Sequence, residues 1–226
     1  MIYPSLKEIY FQIKTLFHPQ SVAAYQKIRV GSEGDGGYVM LDDFTDIRLA
    51  VSGGIGGNDD WERAIARRTK VIAHDPFDDE IIDRTYEFRN EKLVSLNDLL
   101  KDLPDYSVIG KIDIEGGEFD LFKNTDPALL KKFRQLVCEI HLQRVILDQT
   151  QLESFAKLNA VFNTIHIHGN NTAEVFVLNG IKVPKVFEIT LANKDCYVYS
   201  DFVGTLPGEL DRPCDPNREE IILLSD

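Results

Sequence analysis

The amino-acid sequence predicts a doubly wound α/β fold, in which helices cover both faces of a Rossmann-like, mostly parallel sheet. Short apolar runs alternate along the chain with segments that carry apolar residues at helical spacing, which is the pattern of strand–helix–strand units. A glycine-rich turn joins one such run to a helix between residues 47 and 76. Strand-like segments at 174–178 and 186–191 follow without an intervening helix, so we expect an antiparallel hairpin to close the sheet.

Length and composition indicate one globular domain. The 226 residues are 43% hydrophobic and 27% charged, which is ordinary for a globular protein with one sizeable core. Within a single domain at 1–226 we distinguish a helix and hairpin cap at 1–45, a Rossmann-like core at 46–192 and a surface tail at 193–226. The sequence assigns no function to the tail and indicates no oligomeric state.

The net charge and the cysteines bear on possible partners and on the compartment. A formal net charge of −12 argues against sequence-independent nucleic-acid binding, because such binding needs a basic face. No apolar run approaches the ~20 residues that span a bilayer, and the N-terminus lacks the basic-then-apolar order of a signal peptide. The three widely spaced cysteines, Cys138, Cys196 and Cys214, show no zinc-site spacing and indicate reduced thiols in a cytoplasmic protein. We therefore expect neither nucleic acid nor a membrane as a partner.

The stretch from Leu49 to Pro76 is the centre of the predicted fold. A strand at Leu49–Val51 leads into the turn Ser52–Asn58, a helix follows, and a second strand ends immediately before Asp75. Glycines allow a backbone to approach a ligand closely, because no Cβ stands in the way. An acid at the end of the second strand, about 20 residues after the glycines, is placed to accept both hydroxyls of a ribose.

The turn predicts a cofactor that contains a ribose but no phosphate. Gly54 and Gly56 match the first two glycines of the dinucleotide-binding motif, but Asp59 stands where the third glycine belongs. Asp59 and Asp60 at the start of the helix would repel a phosphate. S-adenosylmethionine fits better, because it has a ribose and a cationic sulfonium. The core residues predicted to bind it are Gly54, Gly56, Asn58, Asp75, Pro76 and Asp113.

The segment before the glycine turn predicts a helix and a hairpin. Apolar residues at helical spacing indicate an amphipathic helix over residues 3–17. Strands at 27–31 and 37–41 flank a turn and form a hairpin that caps the sheet. A functional alternative is that Arg29 and Asp35 reach the carboxylate and amino groups of the cofactor's methionine moiety.

Polar residues follow the remaining strands of the predicted core. The strand that ends at Asp113 leads through a turn into a helix, the strand at 133–140 ends before His141, and a later strand ends at His168. Because the carboxyl ends of parallel strands meet at one edge of a sheet, these side chains should converge, although each alone is also an ordinary solvated strand end. His166 shares a face with His168 and is expected to be structural. A set of possible ligands for Mg²⁺ or Mn²⁺ is Asp113, Glu115, His141 and His168.

Three stretches together resemble S-adenosylmethionine-dependent methyltransferases of the FkbM-like type. They are Gly54–Asp59, the KIDIEGGE sequence at 111–118, and Glu139–His141, with DGGYV at 35–39 and HGNN at 168–171 also similar to relatives of that group. The resemblance covers roughly residues 29–175. It implies a class I methyltransferase fold of seven strands and methyl transfer to a hydroxyl oxygen of a small molecule, such as a carbohydrate or a polyketide.

Two departures from the methyltransferase pattern lead to expectations of their own. Ser52 stands where an acid is common, two residues before the first glycine. Only 35 residues separate Asp75 from Lys111, which leaves little room for the third strand and its helix. We expect a polar helix-like run to Arg89, a brief strand at 92–94 and a capped helix from residue 95. The adenine would then be exposed, or held by Phe77 and the segment 92–98.

Deprotonation of the acceptor hydroxyl leads to a hypothesis about the catalytic residues. His141 is the expected general base because its unperturbed pKa lies near neutrality, and Asp113 would orient it or hold a metal. His168 is the third expected catalytic residue. Two alternatives remain: a catalytically silent protein with weakened cofactor binding, and an NAD-dependent oxidoreductase, for which a Tyr-x-x-x-Lys pair downstream of the turn is lacking.

Overall fold

The computed structural model describes residues 6–78, 83–142 and 147–224, which form a central sheet with helices, two hairpins and a further two-stranded sheet. The strands are β1 (Gln20–Val22), β2 (Lys27–Gly31), β3 (Gly37–Leu41), β4 (Leu49–Gly53), β5 (Val71–His74), β6 (Glu87–Arg89), β7 (Val108–Ile112), β8 (Phe133–His141), β9 (Phe162–Gly169), β10 (Val175–Leu178), β11 (Ile181–Pro184), β12 (Val186–Asn193) and β13 (Tyr199–Asp201). The helices are α1 (Leu6–Leu16), α2 (Asp60–Ala66), α3 (Asn97–Leu100), α4 (Glu118–Asn124) and α5 (Gln149–Val161), with a 3₁₀ helix at Pro127–Lys132.

The central sheet has the strand order β6-β5-β4-β7-β8-β12-β9. All its strands are parallel except β12, which pairs antiparallel with both β8 and β9. Along the chain, the central sheet begins with β4, extends through β5 to β6 at one edge, and continues with β7 on the other side of β4. This reversal at β4 and β7 is the switch point where open α/β sheets bind ligands. The predicted fold class, a doubly wound class I methyltransferase sheet with an antiparallel C-terminal hairpin, is confirmed.

Both faces of the sheet are buried. On one face β7 and β8 pack against α1, α4 and α5, and the same cluster contains Ile13, Phe122 and Phe155. On the other face α2 and the β2–β3 hairpin replace a full layer of helices, with Trp61 and Tyr38 in a second cluster. Continuous apolar runs, rather than alternating ones, are what strands buried on both faces require.

Polar side chains hold the β2–β3 hairpin on the sheet. The side-chain amide of Gln135 in β8 donates to the carbonyl of Leu41 and accepts from its N–H, at 3.1 and 2.8 Å. The hydroxyl of Thr190 in β12 donates to the carbonyl of Val39 at 2.5 Å. These bonds fix the hairpin's register against two strands of the sheet, so its turn lies near the carboxyl end of β8 and the amino end of β12. The predicted hairpin is therefore confirmed, as is the N-terminal helix at 6–16, while residues 3–5 lie outside the described residues.

The expectations for the segment between Asp75 and Lys111 were wrong in part. Residues 87–89, expected to be helical, form β6 and pair parallel with β5, whereas the expected strand at 92–94 is absent from the described part of this segment. The edge strand is polar and short, so it carries no apolar period that a sequence could reveal. Helix α3 is confirmed, and residues 79–82 of the expected run lie outside the described residues.

The C-terminal strands differ from the expected pairing in one respect. Residues 175–178 pair with 181–184 in a separate hairpin, and not with 186–191. The latter segment is β12, which inserts into the central sheet between β8 and β9. Downstream, β13 pairs with β1, and Leu206 forms a bridge with Leu224. Across the three described ranges, no helix has both the length and the apolarity that crossing a bilayer requires.

Candidate functional site

The glycine turn is locked against the end of β7 at the switch point. The N–H of Asp113 donates to the carbonyl of Gly53 at 2.9 Å, and the N–H of Gly54 donates to His74 at 2.9 Å. Gly54 has a φ of +82°, and a Cβ there would stand 1.6 Å from the carbonyl oxygen of Asp113. Only glycine allows the two loops to lie this close.

Asp75 follows β5 directly and binds the backbone of the glycine turn. Its Oδ2 accepts from the N–H groups of Ile55 and Gly56 at 2.8 and 3.1 Å, and its Oδ1 accepts from Phe77 at 2.7 Å. Burial acts to raise the pKa of this carboxyl, but the backbone N–H donors outweigh it and lower the pKa. The backbone N–H of Asp78 also donates to this carboxylate, so its roughly four acceptor positions are occupied by backbone donors.

A buried hydrogen-bond network beneath the turn contains a carboxylate, although Ser52 stands at the position where methyltransferases commonly have an acid. The Ser52 hydroxyl donates to Oε1 of Glu62, a residue of α2, and the ammonium of Lys111 lies 3.1 Å from the same oxygen. Lys111 also donates to the carbonyl of Gly54. The acid is therefore supplied by the following helix, and the lysine of the KIDIEGGE stretch supports the turn from below.

The hairpin residues predicted to bind the cofactor have different environments. The guanidinium of Arg29 donates to the carbonyls of Ser32 and Gly34, at 2.8 and 2.5 Å, and more weakly to Leu210 at 3.4 Å. It thus closes the hairpin's own turn, and we leave it out of the proposed cofactor site. Asp35 stays exposed at the tip, where its carbonyl accepts from the side chain of Asn58 at 3.2 Å.

The carboxyl of Asp113 is a group of the cleft whose pKa lies near neutrality. The phenol of Tyr38 donates to its Oδ2 at 3.0 Å. Burial, followed by the negative charge of Glu139, raises the pKa of Asp113 to about 7. A group with such a pKa exchanges a proton readily at neutral pH, which is the property a general acid or base needs.

His141 is surrounded by carboxylates. Its Nδ1 lies 3.2 Å from Oε1 of Glu118, and its Nε2 lies 3.3 Å from Glu139 and 3.4 Å from Glu115. Burial acts to lower its pKa, but the bonds to Glu118 and Glu139 dominate and raise the pKa to about 11. The imidazolium therefore persists at neutral pH and has no free lone pair. This is not the state of a general base, and the role expected for His141 moves to Asp113.

The predicted metal ligands divide into two groups. Ligand atoms of Asp113 and His141 lie within 4.8 Å of each other and of a carboxylate oxygen of Glu139, which the sequence did not single out. Glu115 is near His141, but its side chain is 86% exposed. His168 belongs to another group, because Glu188 of β12 pairs with Glu139 on one side and with His168 on the other. The predicted set of four therefore does not form one site.

The two histidines of β9 are enclosed by the C-terminal tail. Nε2 of His166 lies 2.7 Å from Oδ1 of Asp211, and both residues are buried, as expected of a structural histidine. Nδ1 of His168 lies 3.3 Å from Glu188, and its Nε2 lies 3.2 Å from Glu220. His168 is only 1% exposed, so a substrate in the cleft does not reach it. We leave it out of the proposed catalytic residues.

Some residues that line the candidate site were assigned no role from the sequence, namely Tyr38, Glu62, Glu118, Glu139 and Glu188. Three of them lie in stretches that carry the resemblance, since Tyr38 is in 35–39, Glu118 in 111–118 and Glu139 in 139–141. Glu139 and His141 also alternate along a strand and therefore share a face. Glu62 and Glu188 meet the site only through tertiary contacts.

Comparisons with known proteins give likenesses of fold. No protein-family model matches the chain, and no curated protein sequence matches it. A SAM-dependent methyltransferase from Archaeoglobus fulgidus is 13% identical with a TM-score of 0.41, over 66% of this chain and 88% of that one. An rRNA methylase from Streptococcus thermophilus is 14% identical with a TM-score of 0.38, over 66% and 87%. The fibrillarin pre-rRNA processing protein from Methanococcus jannaschii is 10% identical with a TM-score of 0.39, over 77% and 84%. At these identities and scores the likeness identifies no function.

Proposed function

We propose that this chain is an S-adenosylmethionine-dependent methyltransferase that acts on a hydroxyl oxygen of a small molecule. The observation that carries the proposal is the position of Asp113. Its backbone is bonded to the glycine turn at the switch point, and its carboxyl has a pKa of about 7. A proton acceptor therefore lies directly beside the predicted cofactor turn. The resemblance of the glycine turn and of KIDIEGGE to FkbM-like methyltransferases supports the same assignment.

The residues around the turn suit this cofactor. We place the ribose beside Asp75, where a ribose hydroxyl replaces one of the backbone N–H donors of its carboxylate. A Cβ added to Gly56 would meet nothing within 4 Å, so the turn has an open side for a ligand. Acidic groups such as Asp35 and Glu139 favour a cation and repel a phosphate. When bound, S-adenosylmethionine supplies an electrophilic methyl group on a positively charged sulfur.

The adenine is assigned to the exposed apolar side chains beyond β5 and β6. Phe77 is 82% exposed and Val94 is 64% exposed, although both follow strands of the core. The ammonium of Lys92 lies 5.9 Å from the centre of the Phe77 ring, so the segment after β6 runs beside that ring. An exposed aromatic ring offers a stacking surface for a base.

Deprotonation of the acceptor is assigned to Asp113. Tyr38 donates to Oδ2, and a side-chain hydrogen bond joins Asp113 to Glu139, so the hydroxyl proton passes to a carboxyl that shares it with Glu139. The imidazolium of His141 lies beside Glu139 and offsets part of the negative charge that otherwise holds the proton on Asp113. Methyl transfer needs the hydroxyl oxygen in line with the donor, and general-base catalysis contributes about 10²–10⁴-fold in rate.

We propose a small molecule, such as a carbohydrate or a polyketide, and not nucleic acid as the acceptor. The net charge is −12. The cations beside the amino ends of β5 and β6 are largely neutralised, because Arg68, Lys70 and Arg84 form ion pairs with Asp42, Glu87 and Asp78. Phosphate backbones require free cationic side chains.

Calorimetric titration tests the cofactor and separates the alternatives. S-adenosylhomocysteine should bind the wild-type chain, and NAD should not. The Asp75→Ala variant should bind roughly 10- to 100-fold more weakly, because a charge-assisted hydrogen bond contributes about 1.5–3 kcal/mol. Binding of NAD alone would favour the oxidoreductase, and binding of neither ligand would favour the catalytically silent protein. Unchanged affinity in Asp75→Ala would contradict the position of the ribose.

A chelator experiment tests whether a metal replaces the base. With Asp113 as base, turnover ignores a chelator and rises with pH through about 7. Turnover that a chelator abolishes and that Mg²⁺ or Mn²⁺ restores would instead assign Asp113, Glu139 and His141 to a metal.

A further inference from the structure

We propose that His168, Glu188 and Cys214 bind a borderline-soft divalent cation, of which Zn²⁺ is the type, and that this ion fastens the C-terminal tail to the sheet. The site is separate from the proposed cofactor turn and does not depend on the proposed function. It joins three parts of the chain, because His168 lies on β9, Glu188 on β12 and Cys214 in the tail.

The three ligand atoms are already gathered. They lie within 4.8 Å of one another, and Nδ1 of His168 is 3.3 Å from Oε2 of Glu188. Tetrahedral zinc has bonds of about 2.0–2.3 Å, which place neighbouring ligand atoms roughly 3.3–3.6 Å apart. The nitrogen and the oxygen therefore already have the spacing of two ligands of one ion. The sulfur needs to move by no more than about 1 Å.

The imidazole has the orienting partner that metal-bound histidines usually have. Nε2 of His168 lies 3.2 Å from Oε2 of Glu220, on the side opposite to the nitrogen that faces Glu188. In metal sites the second ring nitrogen usually donates to a carboxylate, which fixes the tautomer and turns the other nitrogen toward the ion. Glu220 performs this task here, and its own side chain remains partly accessible.

The backbone around Cys214 is held in place by a residue after β9. The side chain of Asn171 donates to the carbonyl of Asp215 at 2.8 Å and accepts from its N–H at 2.8 Å. The residue next to Cys214 is therefore clamped on both of its backbone groups. A thiol on so constrained a segment loses little freedom when it binds an ion.

The charges around the triad favour a cation, and the ligand types select a soft one. Carboxylate oxygens of Asp35, Glu139 and Glu188 lie within 4.8 Å of one another, so a dication here relieves their mutual repulsion. Imidazole and thiolate favour zinc or cobalt over magnesium or calcium. On binding, the thiol of Cys214 and Nδ1 of His168 each give up a proton to solvent, and the ion takes the place of the hydrogen between Nδ1 and Glu188.

Cobalt(II) provides a direct probe. The full chain, freed of metal with a chelator and kept reduced, is titrated with Co²⁺ and then with Zn²⁺. We expect one Co²⁺ per chain with the near-ultraviolet absorption of thiolate-to-cobalt charge transfer, which Zn²⁺ then removes. Cys214→Ser should lose this absorption. Cys196→Ser should keep it, because Cys196 is another partly buried thiol of the tail but lies outside the triad.

A second measurement covers the folding of the variants. Zn²⁺ should raise the Tm of the wild type and of Cys196→Ser, because an ion that binds only the folded chain stabilises it. The Tm of Cys214→Ser should not change when Zn²⁺ is added. Far-ultraviolet circular dichroism confirms that each variant is folded. The proposal is overturned if the wild type shows no charge-transfer absorption, or if Cys214→Ser retains it. Loss of the absorption in both cysteine variants would also overturn it, since the probe would then report the fold and not the ligand.

Discussion

At the scale of single residues, two groups of the cleft hold protonation states that their residue types do not suggest. His141 keeps its proton because Glu118 and Glu139 lie against its two ring nitrogens. Asp113 keeps a proton up to about neutral pH because it is buried beside the charge of Glu139. A cation and a neutral acid therefore stand side by side where a free imidazole and a carboxylate would be expected.

The first prediction concerns Asp113 as base. Asp113→Asn should lower turnover by about 10²–10⁴-fold, because an amide cannot accept the hydroxyl proton. Binding of S-adenosylhomocysteine, measured by calorimetry, should stay within a few-fold of wild type. Wild-type turnover should rise through a pH of about 7, since the base acts only after losing its proton. A variant with normal turnover would show that Asp113 is not the base.

The second prediction concerns His141 as a structural cation. His141→Gln should lower the free energy of unfolding by roughly 3 kcal/mol, because buried Glu118 and its neighbour Glu139 lose their positive partner. The raised pKa of His141 implies stabilisation that is fully present below its unfolded pKa of 6.5 and is lost as pH rises toward about 11. The difference between variant and wild type in urea should therefore shrink at high pH. Glu115→Gln, at an exposed position, is the control and should change stability little.

The sequence located most of the acidic cleft, but it could not assign the chemistry of its members. Strand ends predicted that Asp113 and His141 would meet, because parallel strands share an edge. The role of His141 depended on Glu118, which is 23 positions away and joins it only after α4 has folded. The triad of His168, Glu188 and Cys214 could not be predicted for the same reason. Cys214 lies 46 positions after His168, and no short sequence motif contains both residues.

At the scale of elements, two glycines of the same turn are needed for different reasons, one for packing and one for a ligand. Gly54 has the backbone of Asp113 where its Cβ would lie, whereas Gly56 faces open space. Both have positive φ, at +82° and +60°. One glycine is therefore needed by the fold, and the other is available to a ligand.

The third prediction compares these two glycines. Gly54→Ala should prevent stable folding or destabilise the chain by several kcal/mol, because the backbone of β7 must move. Gly56→Ala should cost only about 1–2 kcal/mol, the cost of a left-handed backbone for alanine. If the cofactor lies on the open side, Gly56→Ala should also weaken binding of S-adenosylhomocysteine more than its stability loss explains. Thermal unfolding and calorimetry measure both, and equal stability of the two variants would contradict this account.

The elements that the sequence predicted well are those whose burial leaves a periodic trace. Strands β7 and β8 are continuous apolar runs, and α5 carries Leu152, Phe155 and Leu158 on one face. The edge strand β6 leaves no such trace, because its exposed side chains are polar. The position of β12 in the sheet could not be predicted either, because an apolar strand pairs equally well with an adjacent segment or with a strand that is distant in sequence.

At the scale of the whole molecule, the C-terminal tail is part of the core's polar organisation and not a loose surface segment. Asp211 is 6% exposed and bonds His166 of β9, while Glu220 meets His168 two residues further on. The tail also accepts a hydrogen bond from Arg29 of the hairpin through Leu210. It therefore ties the last strands to the N-terminal cap.

The fourth prediction tests this anchoring. Asp211→Ala should lower the free energy of unfolding by about 2–3 kcal/mol, because a buried imidazole nitrogen of His166 loses its partner. Glu209→Ala changes an exposed side chain of the same segment and should change stability by less than about 0.5 kcal/mol. Chemical denaturation of the two variants gives the comparison. Equal stability would show that the tail is not held at Asp211.

The insertion of β12 between β8 and β9 has a consequence for biosynthesis. The ribosome synthesises β8 and β9 before β12, so the strand that lies between them in the sheet is missing until residue 193 has emerged. During that interval the nascent chain presents one long apolar strand, β8, with an open hydrogen-bonding edge, which is a template for unwanted pairing. The sheet of this protein is thus completed late in translation, by a strand that inserts one position from its edge, and slow release of the last quarter of the chain prolongs its exposure to aggregation.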